Sequence, residues 1–162
     1  MDDAVARSLA RWPDVPAVHG WLRLDRRGRW LLRDPAAGGF GPVGNSALNA
    51  FISRNYAADD AGRWFFQNGP QRVYAALDYT PLVARLEDDR FRDHCGRVFA
   101  PEALFVDDEG SVLLAREGTA ALLDDRDLLA FVEREAGRID ELPRIARAEV
   151  ARRFGFDPAP SP

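Results

Sequence analysis

The chain has 162 residues, a formal net charge of −4, 46% apolar and 10% aromatic side chains, and a single cysteine. That length suits one filled core or two small units, and that composition excludes a disordered chain. The charge argues against general affinity for nucleic acid or an anionic membrane. The lone Cys95 permits no internal disulfide, and no apolar run approaches the roughly 20 residues of a membrane span.

The opening Met-Asp-Asp-Ala-Val-Ala-Arg is acidic and lacks the apolar core of a secretory signal, so a cytoplasmic location is expected. Residues 2–11 suit a short helix stopped by Pro13 and Pro16. Residues 20–33 read as a hairpin in which Leu22 and Leu24 alternate with Arg23 around the turn Asp25-Arg-Arg-Gly28. In Asp-x-x-Gly the aspartate opens a type I turn and its carboxylate accepts a backbone amide. The glycine takes the left-handed conformation that restarts the second strand in register. The same signature recurs at Asp59-Asp-Ala-Gly62 and Asp107-Asp-Glu-Gly110. These aspartates are therefore expected to bend backbone, not to bind metal or transfer protons.

A loop rich in Gly and Pro covers 34–44. A helix over 46–55 follows, capped by Asn45 or Ser46, with Leu48, Phe51 and Ile52 as its apolar stripe and Asn55 as a left-handed C-cap. Residues 57–86 read as an antiparallel meander turning at Asn68-Gly69-Pro70. In it Val73, Ala75, Leu77 and Tyr79 alternate with Arg72, Tyr74, Ala76 and Asp78. The charged stretch 87–93 reads as a solvated connection. Beyond it, 97–136 holds a hairpin, a strand pair across Glu117-Gly118, and a helix over 126–136. That helix is capped by Asp124 or Asp125, buries Leu128, Leu129, Phe131 and Val132, and stops at Gly137. Residues 141–154 suit a last helix with the stripe Ala146, Val150, Phe154, and the Pro-rich 156–162 is expected to be disordered.

Two stretches repeat. Trp21-Leu-Arg-Leu-Asp25 aligns with Ala103-Leu-Phe-Val-Asp107, and Leu48-Asn-Ala-Phe-Ile-Ser-Arg54 with Leu128-Leu-Ala-Phe-Val-Glu-Arg134. The expected fold is α+β: two β-hairpin–helix units joined by an antiparallel meander, with open half-barrel-like sheets packed on helices. The expected division is 1–96 and 97–155.

Chemistry is sparse. His19 and His94 have no ligand-like spacing with other His or Cys residues, so neither a metal nor a cofactor is expected. On a strand, His94 and Cys95 point to opposite faces. No Gly-x-Ser-x-Gly, Walker-type loop or Gly-x-Gly-x-x-Gly occurs. The segment Arg63–Tyr74 is dense in aromatic, amide and guanidinium groups. Arg72, Tyr74 and Asp78 share a strand face that Asn45, Asn49 and Arg54 can approach from the preceding helix. With Trp64 and Asn68 they form a candidate groove for a small acidic ligand or a protein partner. The structural alternative places Trp64 and Phe66 in the core, pairs Arg72 with Asp78, and assigns Asn68 to its turn. Two other readings are a carboxylate-dependent enzyme around Arg72, Tyr74 and Asp78, and a structural protein forming a homodimer through 141–154.

The run Gly20-Trp-Leu-Arg-Leu-Asp25, with Gly28-Arg-Trp30, Gly41-Pro-Val43, Gly62-Arg-Trp-Phe-Phe-Gln-Asn-Gly-Pro-Gln-Arg-Val-Tyr74, Asp78 and Thr80-Pro81, resembles small bacterial proteins of domain-of-unknown-function families. The likeness is good over roughly 16–86 and loose over 97–136. The chain is similar, more distantly, to a second such group, where Gln67-Asn-Gly-Pro70 is replaced by Thr-Pro. That resemblance implies an α+β fold of repeated motifs and a regulatory or signalling role, and it implies no catalytic residue.

Overall fold

Residues 1–36, 38–135 and 138–162 are described by the structure, a computed structural model. They form two units. One comprises Met1–Asp25, Arg29–Asp78 and Asp157–Pro162, and the other comprises Arg26–Gly28 and Tyr79–Phe156. The division falls at 78/79 where the sequence suggested 96/97. The reason is that Leu82–Glu87, read as the meander's last strand, pairs with Thr119–Leu123 instead.

The first unit runs α1 (Asp3–Arg11), β1 (Val18–Leu24), β2 (Trp30–Asp34), β3 (Gly39–Pro42), α2 (Ser46–Arg54), β4 (Tyr56–Ala58), β5 (Trp64–Asn68) and β6 (Gln71–Leu77). Its sheet has the order β3-β2-β1-β6-β5-β4. Only the central β1–β6 pair is parallel, with Leu22 beside Ala75. The second unit runs β7 (Leu82–Glu87), β8 (Arg90–Asp93), β9 (Val98–Phe99), β10 (Ala103–Asp107), β11 (Val112–Arg116), β12 (Thr119–Leu123), α3 (Leu128–Arg134), β13 (Arg144–Ile145) and α4 (Arg147–Phe154). Its order is β13-β10-β11-β12-β7-β8-β9, with β12 and β7 parallel at the centre.

Both sheets thus follow one plan. Two three-stranded meanders meet where the first strand of one lies parallel to the last strand of the other. The fold is α+β with two open mixed sheets, as expected. The expected repeat also holds locally, since β1-β2-β3-α2 and β10-β11-β12-α3 are each a meander followed by a helix. Their places differ, because β1 is central in its sheet whereas β12, not β10, is central in the other. The copy that preserves topology is β1–β6 with β7–β12.

The Asp-x-x-Gly turns form as the sequence requires, and a fourth joins them at Asp93-His-Cys-Gly96. In each, the aspartate amide donates to the carbonyl four residues on: Asp25 to Arg29, Asp59 to Arg63, Asp93 to Arg97, Asp107 to Ser111. In each, one carboxylate oxygen accepts that fourth residue's amide at 2.7–2.9 Å. The closing glycines have φ between +73° and +84°. Sheet curvature and register are therefore set by local bonds that cost little chain entropy.

Amphipathic helices fill the inner faces. In the first unit Ile52 is fully buried, Phe51 meets Phe66 edge-on, and the Trp30, Tyr56 and Trp64 rings pack in sequence with centroids 4.7 and 4.8 Å apart. The Trp30 indole donates to Ser53 Oγ, so its buried N–H is satisfied. In the second, Phe131 of α3 packs on Phe91 and Phe154 of α4 on Phe105. Each such ring contributes roughly 1.5–3 kcal/mol by burial.

Several local expectations are corrected. Gly39–Pro42, read as loop, is an edge strand. Asn55 is not left-handed (φ −105°) but buried, donating to the Phe51 carbonyl and accepting the Asp2 amide. Residues 87–93 are a tight turn, with Asp88 at φ +52°, followed by β8, which buries Phe91. Leu129 is 70% exposed. The expected stop at Gly137 lies outside the described residues. Pro143 splits the expected helix 141–154: β13 pairs with β10, and α4 starts only at Arg147. Val150 and Phe154 of α4 are buried. Finally, the segment expected to be disordered is tied to the first sheet, where the Asp157 amide donates to Gly62 O and the Leu77 amide to Pro158 O. No helix among the described residues is long and apolar enough to cross a membrane.

Candidate functional site

The residues singled out from the sequence are dispersed over structural tasks. Asn45 Oδ1 accepts the Leu48 amide as the N-cap of α2, and Asn49 Nδ2 donates to Val43 O. Arg54 forms an ion pair with Asp2 at 3.1 Å. Trp64 is buried against Tyr56, and Asn68 pairs with Gln71 across its turn. Arg72 lies over the Phe65 ring at 4.6 Å, while Asp78 pairs with Arg23, not with Arg72. Tyr74 is buried, with its ring stacked on His19 at 4.7 Å and its hydroxyl donating to Asp59 Oδ2 at 2.9 Å. Phe65, Arg72 and Tyr74 are thus brought together on one sheet face. Asn45, Asn49 and Arg54 are engaged on and around α2.

The Asp59 carboxylate near that face is held in its charged form. Burial alone would raise Asp59, but the Arg63 amide and guanidinium and the Tyr74 hydroxyl outweigh it and keep the carboxyl below its usual range. Asp59 serves twice, with Oδ1 closing the turn and Oδ2 taking Tyr74 and Arg63. Asp107 repeats this in the second unit: Oδ1 accepts the Glu109 and Ser111 amides, and Oδ2 accepts Tyr79 Oη–H at 2.8 Å. Burial and the Asp107 bond push the Tyr79 hydroxyl far up, so it stays a donor. Burial also raises Asp93, but its Oδ1 is taken by the Cys95 and Arg97 amides of its own turn. Among the described residues no three of His, Cys, Asp and Glu converge as ligands for a metal ion.

A cavity of about 360 Å³ lies within the second unit. Its floor is apolar: Val112, Leu122, Leu123 and Leu128. Its rim is charged, carrying Arg26 and Arg27 with Glu109, Ser111 and Asp125. Arg26 Nη2 donates to Ser111 Oγ at 3.0 Å, and its guanidinium rests on the Tyr79 ring at 5.0 Å, as does that of Arg147 at 4.7 Å. Arg27 pairs with Asp125 at 3.3 Å. Arg26 Nη1 is shut off from solvent and has no hydrogen-bond partner among the described residues. The nearest carboxylate is Glu109, 3.8 Å away and also paired with Arg147. A buried donor left unmade costs about 1–3 kcal/mol, and among the described residues this buried guanidinium nitrogen is such a donor.

Sequence reasoning passed over this site. Apart from Asp125, its polar groups lie in or just after two turns, Arg26-Arg27 in one and Glu109 with Ser111 in the other. The available signal was that the first turn alone carries two adjacent arginines there.

A family model described as a protein of unknown function (DUF2946) matches residues 1–161. No curated protein matches the chain. Among solved structures, a DUF1285 family protein from Silicibacter pomeroyi DSS-3 has a TM-score of 0.54 at 18% identity, covering 82% of this chain and 84% of that one. A DUF1285 family protein from Shewanella baltica OS155 has a TM-score of 0.49 at 16% identity, covering 69% of this chain and 90% of that one. The first likeness shows a shared fold.

Proposed function

This chain belongs to a family of proteins of unknown function (DUF2946), and we propose that it is a non-catalytic binding module whose second unit takes up a small anionic ligand beside Arg26. One observation carries this reading. The Arg26 guanidinium is positioned by Ser111 and Tyr79 at the edge of a cavity, yet one of its nitrogens makes no hydrogen bond. A preformed cavity with an apolar wall and a few placed polar groups is the usual form of a small-molecule site. A carboxylate or phosphate oxygen on Arg26 gains charge-assisted bonds stronger than neutral ones. The aspartates of the four turns accept their own turn amides, which favours binding over acid–base work.

The test is thermal unfolding and titration calorimetry with simple anions at fixed ionic strength, on the native protein and on Arg26→Gln. A ligand at a hundred times its Kd adds about 2.7 kcal/mol. For a chain of this size that raises Tm by about 5–10 °C. Arg26→Gln abolishes the rise while remaining folded. An absence of any anion-dependent shift, or an equal shift in the variant, removes the reading.

A protein partner is the second reading. It is favoured by Trp21 and Phe40, 46% and 36% exposed on the first sheet. A photo-cross-linker at Phe40 that captures no protein in cells counts against it.

A further inference from the structure

The same cavity carries an inference about what kind of anion it accepts, resting on the reading that Arg26 binds one. Its rim holds two guanidinium and two carboxylate groups, and these are not arranged alike. Arg27 and Asp125 face each other at hydrogen-bonding distance. Arg26 and Glu109 stand 3.8 Å apart, beyond it, and Glu109 is drawn to Arg147. One cationic edge therefore lacks a bonded partner, and a ligand reaches it by displacing what covers it. Any second negative charge on a ligand meets Glu109 or Asp125. Like charges at such range in a partly desolvated cavity cost more than they would in water.

The floor points the same way. Leu122 and Leu123 are 3% exposed and Val112 is 1% exposed, so the wall offers no hydrogen bond to a polar ligand body. A hydroxylated or doubly charged molecule would leave its polar groups unpaired there. An alkyl or aryl body instead removes apolar surface from water on both sides. At about 30 Å³ for each water-sized group, 360 Å³ admits a body of about a dozen non-hydrogen atoms.

We propose that the cavity takes a monocarboxylate with a medium-length apolar tail, its head on Arg26 and Ser111 and its tail over Leu122, Leu123 and Leu128, with Glu109 as the internal anion that it displaces. Glu109 is well placed for that role. Its side chain is 53% exposed, free to move toward solvent, and it already has Arg147 as a second partner. The exchange swaps one carboxylate for another at Arg26. What decides it is the tail, which Glu109 lacks.

The experiment uses the full chain and five probes: butyrate, hexanoate, octanoate, its dicarboxylate analogue suberate, and 1-octanol, with inorganic phosphate as the plain anion. Affinity is measured calorimetrically below micellar concentrations. The expected result is a two- to fourfold gain per added methylene up to octanoate, since a buried methylene is worth about fourfold. Suberate and octanol each bind at least tenfold more weakly than octanoate. Glu109→Gln tightens octanoate severalfold, and Arg26→Gln weakens it tenfold or more. If phosphate binds as well as octanoate and chain length has no effect, the monocarboxylate assignment is overturned while anion binding at Arg26 stands. If octanol equals octanoate and Arg26→Gln is silent, or if nothing binds, both fall. Should Arg26→Gln not fold, Glu109→Gln decides alone, because weaker or unchanged octanoate binding in it contradicts the displacement.

Discussion

Replacing Gly28 by alanine separates two costs that usually come together. Gly28, Gly96 and Gly110 close turns of one kind, with φ of +73°, +82° and +84°, and all three lie in the second unit. An alanine at any of them pays the left-handed penalty of about 1–2 kcal/mol, and the stiffer unfolded chain returns 0.4–1. Gly96→Ala and Gly110→Ala therefore cost about 1 kcal/mol, since a Cβ there meets nothing within 4 Å. At Gly28 the new Cβ would stand 2.6 Å from His94 Cβ and 3.4 Å from Val83 Cβ. Neither neighbour can simply swing away, because the His94 amide donates to Val83 O and its Nδ1 accepts the Val83 amide. Overpacking of this kind adds about 1–3 kcal/mol. Gly28→Ala should thus cost about 2–4 kcal/mol and lower Tm by roughly 4–16 °C, against roughly 2–4 °C for the other two. All four tryptophans belong to the first unit, so fluorescence reports on that unit. Urea unfolding should be followed by circular dichroism, with hydrogen exchange of the Val83 and His94 amides as the local readout. A Gly28→Ala midpoint equal to that of Gly110→Ala would refute the close-approach argument.

Asp107→Ala strands two turn amides and the Tyr79 hydroxyl, for an expected loss of about 3–5 kcal/mol in chemical denaturation; Asp60→Ala, at an exposed turn position, should stay within about 0.5. Burial would raise Asp124, but the Arg126 guanidinium and amide outweigh it and hold its carboxyl down at about 2. Its folded pKa is thus below the unfolded value near 3.9, so its contribution is complete above about pH 4 and is lost as pH falls toward 2. The stability gap between the native protein and Asp124→Asn, on the order of 2 kcal/mol at pH 6, should close over that window; a pH-independent gap contradicts the pairing. Deleting 157–162 frees the Leu77 amide and should cost the first unit about 1–3 kcal/mol, with faster exchange at Leu77. Unchanged exchange would mean that the segment is not docked.

What could be read in the sequence was chemistry that acts over four or five residues. Asp-x-x-Gly turns and the Asn45 cap of α2 specify themselves, because donor and acceptor are fixed by adjacent backbone. The fourth turn, Asp93-His-Cys-Gly96, has the same spacing and the same polar-apolar-apolar run after its glycine, Arg97-Val98-Phe99, but it opens at the end of the charged stretch 87–93 that reads as a connection. β3 escaped notice because Gly39-Phe-Gly-Pro42 has poor strand propensity and is held by its pairing with β2. The central parallel pairs were out of reach, since nothing local says that Leu22 belongs beside Ala75. The same limit governs the sites. Tyr74 was expected to share a face with Asp78, but its partner is Asp59, whose second oxygen turn logic had left unassigned. Arg26 lies in a turn whose sequence speaks only through its aspartate and glycine, and only the assembled second unit gives it Ser111 and a cavity.

Placing each parallel seam in the middle of its sheet has a kinetic consequence. The outer strand pairs are joined by short connections and can zip up within microseconds on their own. Each seam forms only after some forty to fifty residues have looped round, as between Leu22 and Ala75 or Leu82 and Ala121, so closure entropy is lost before any reward arrives. Refolding should therefore show early formation of separate three-stranded pieces and a slower joining step. Substitutions along the seam, such as Ala75→Gly or Ala121→Gly, would retard that joining step, whereas changes in the outer hairpins would mainly hasten unfolding.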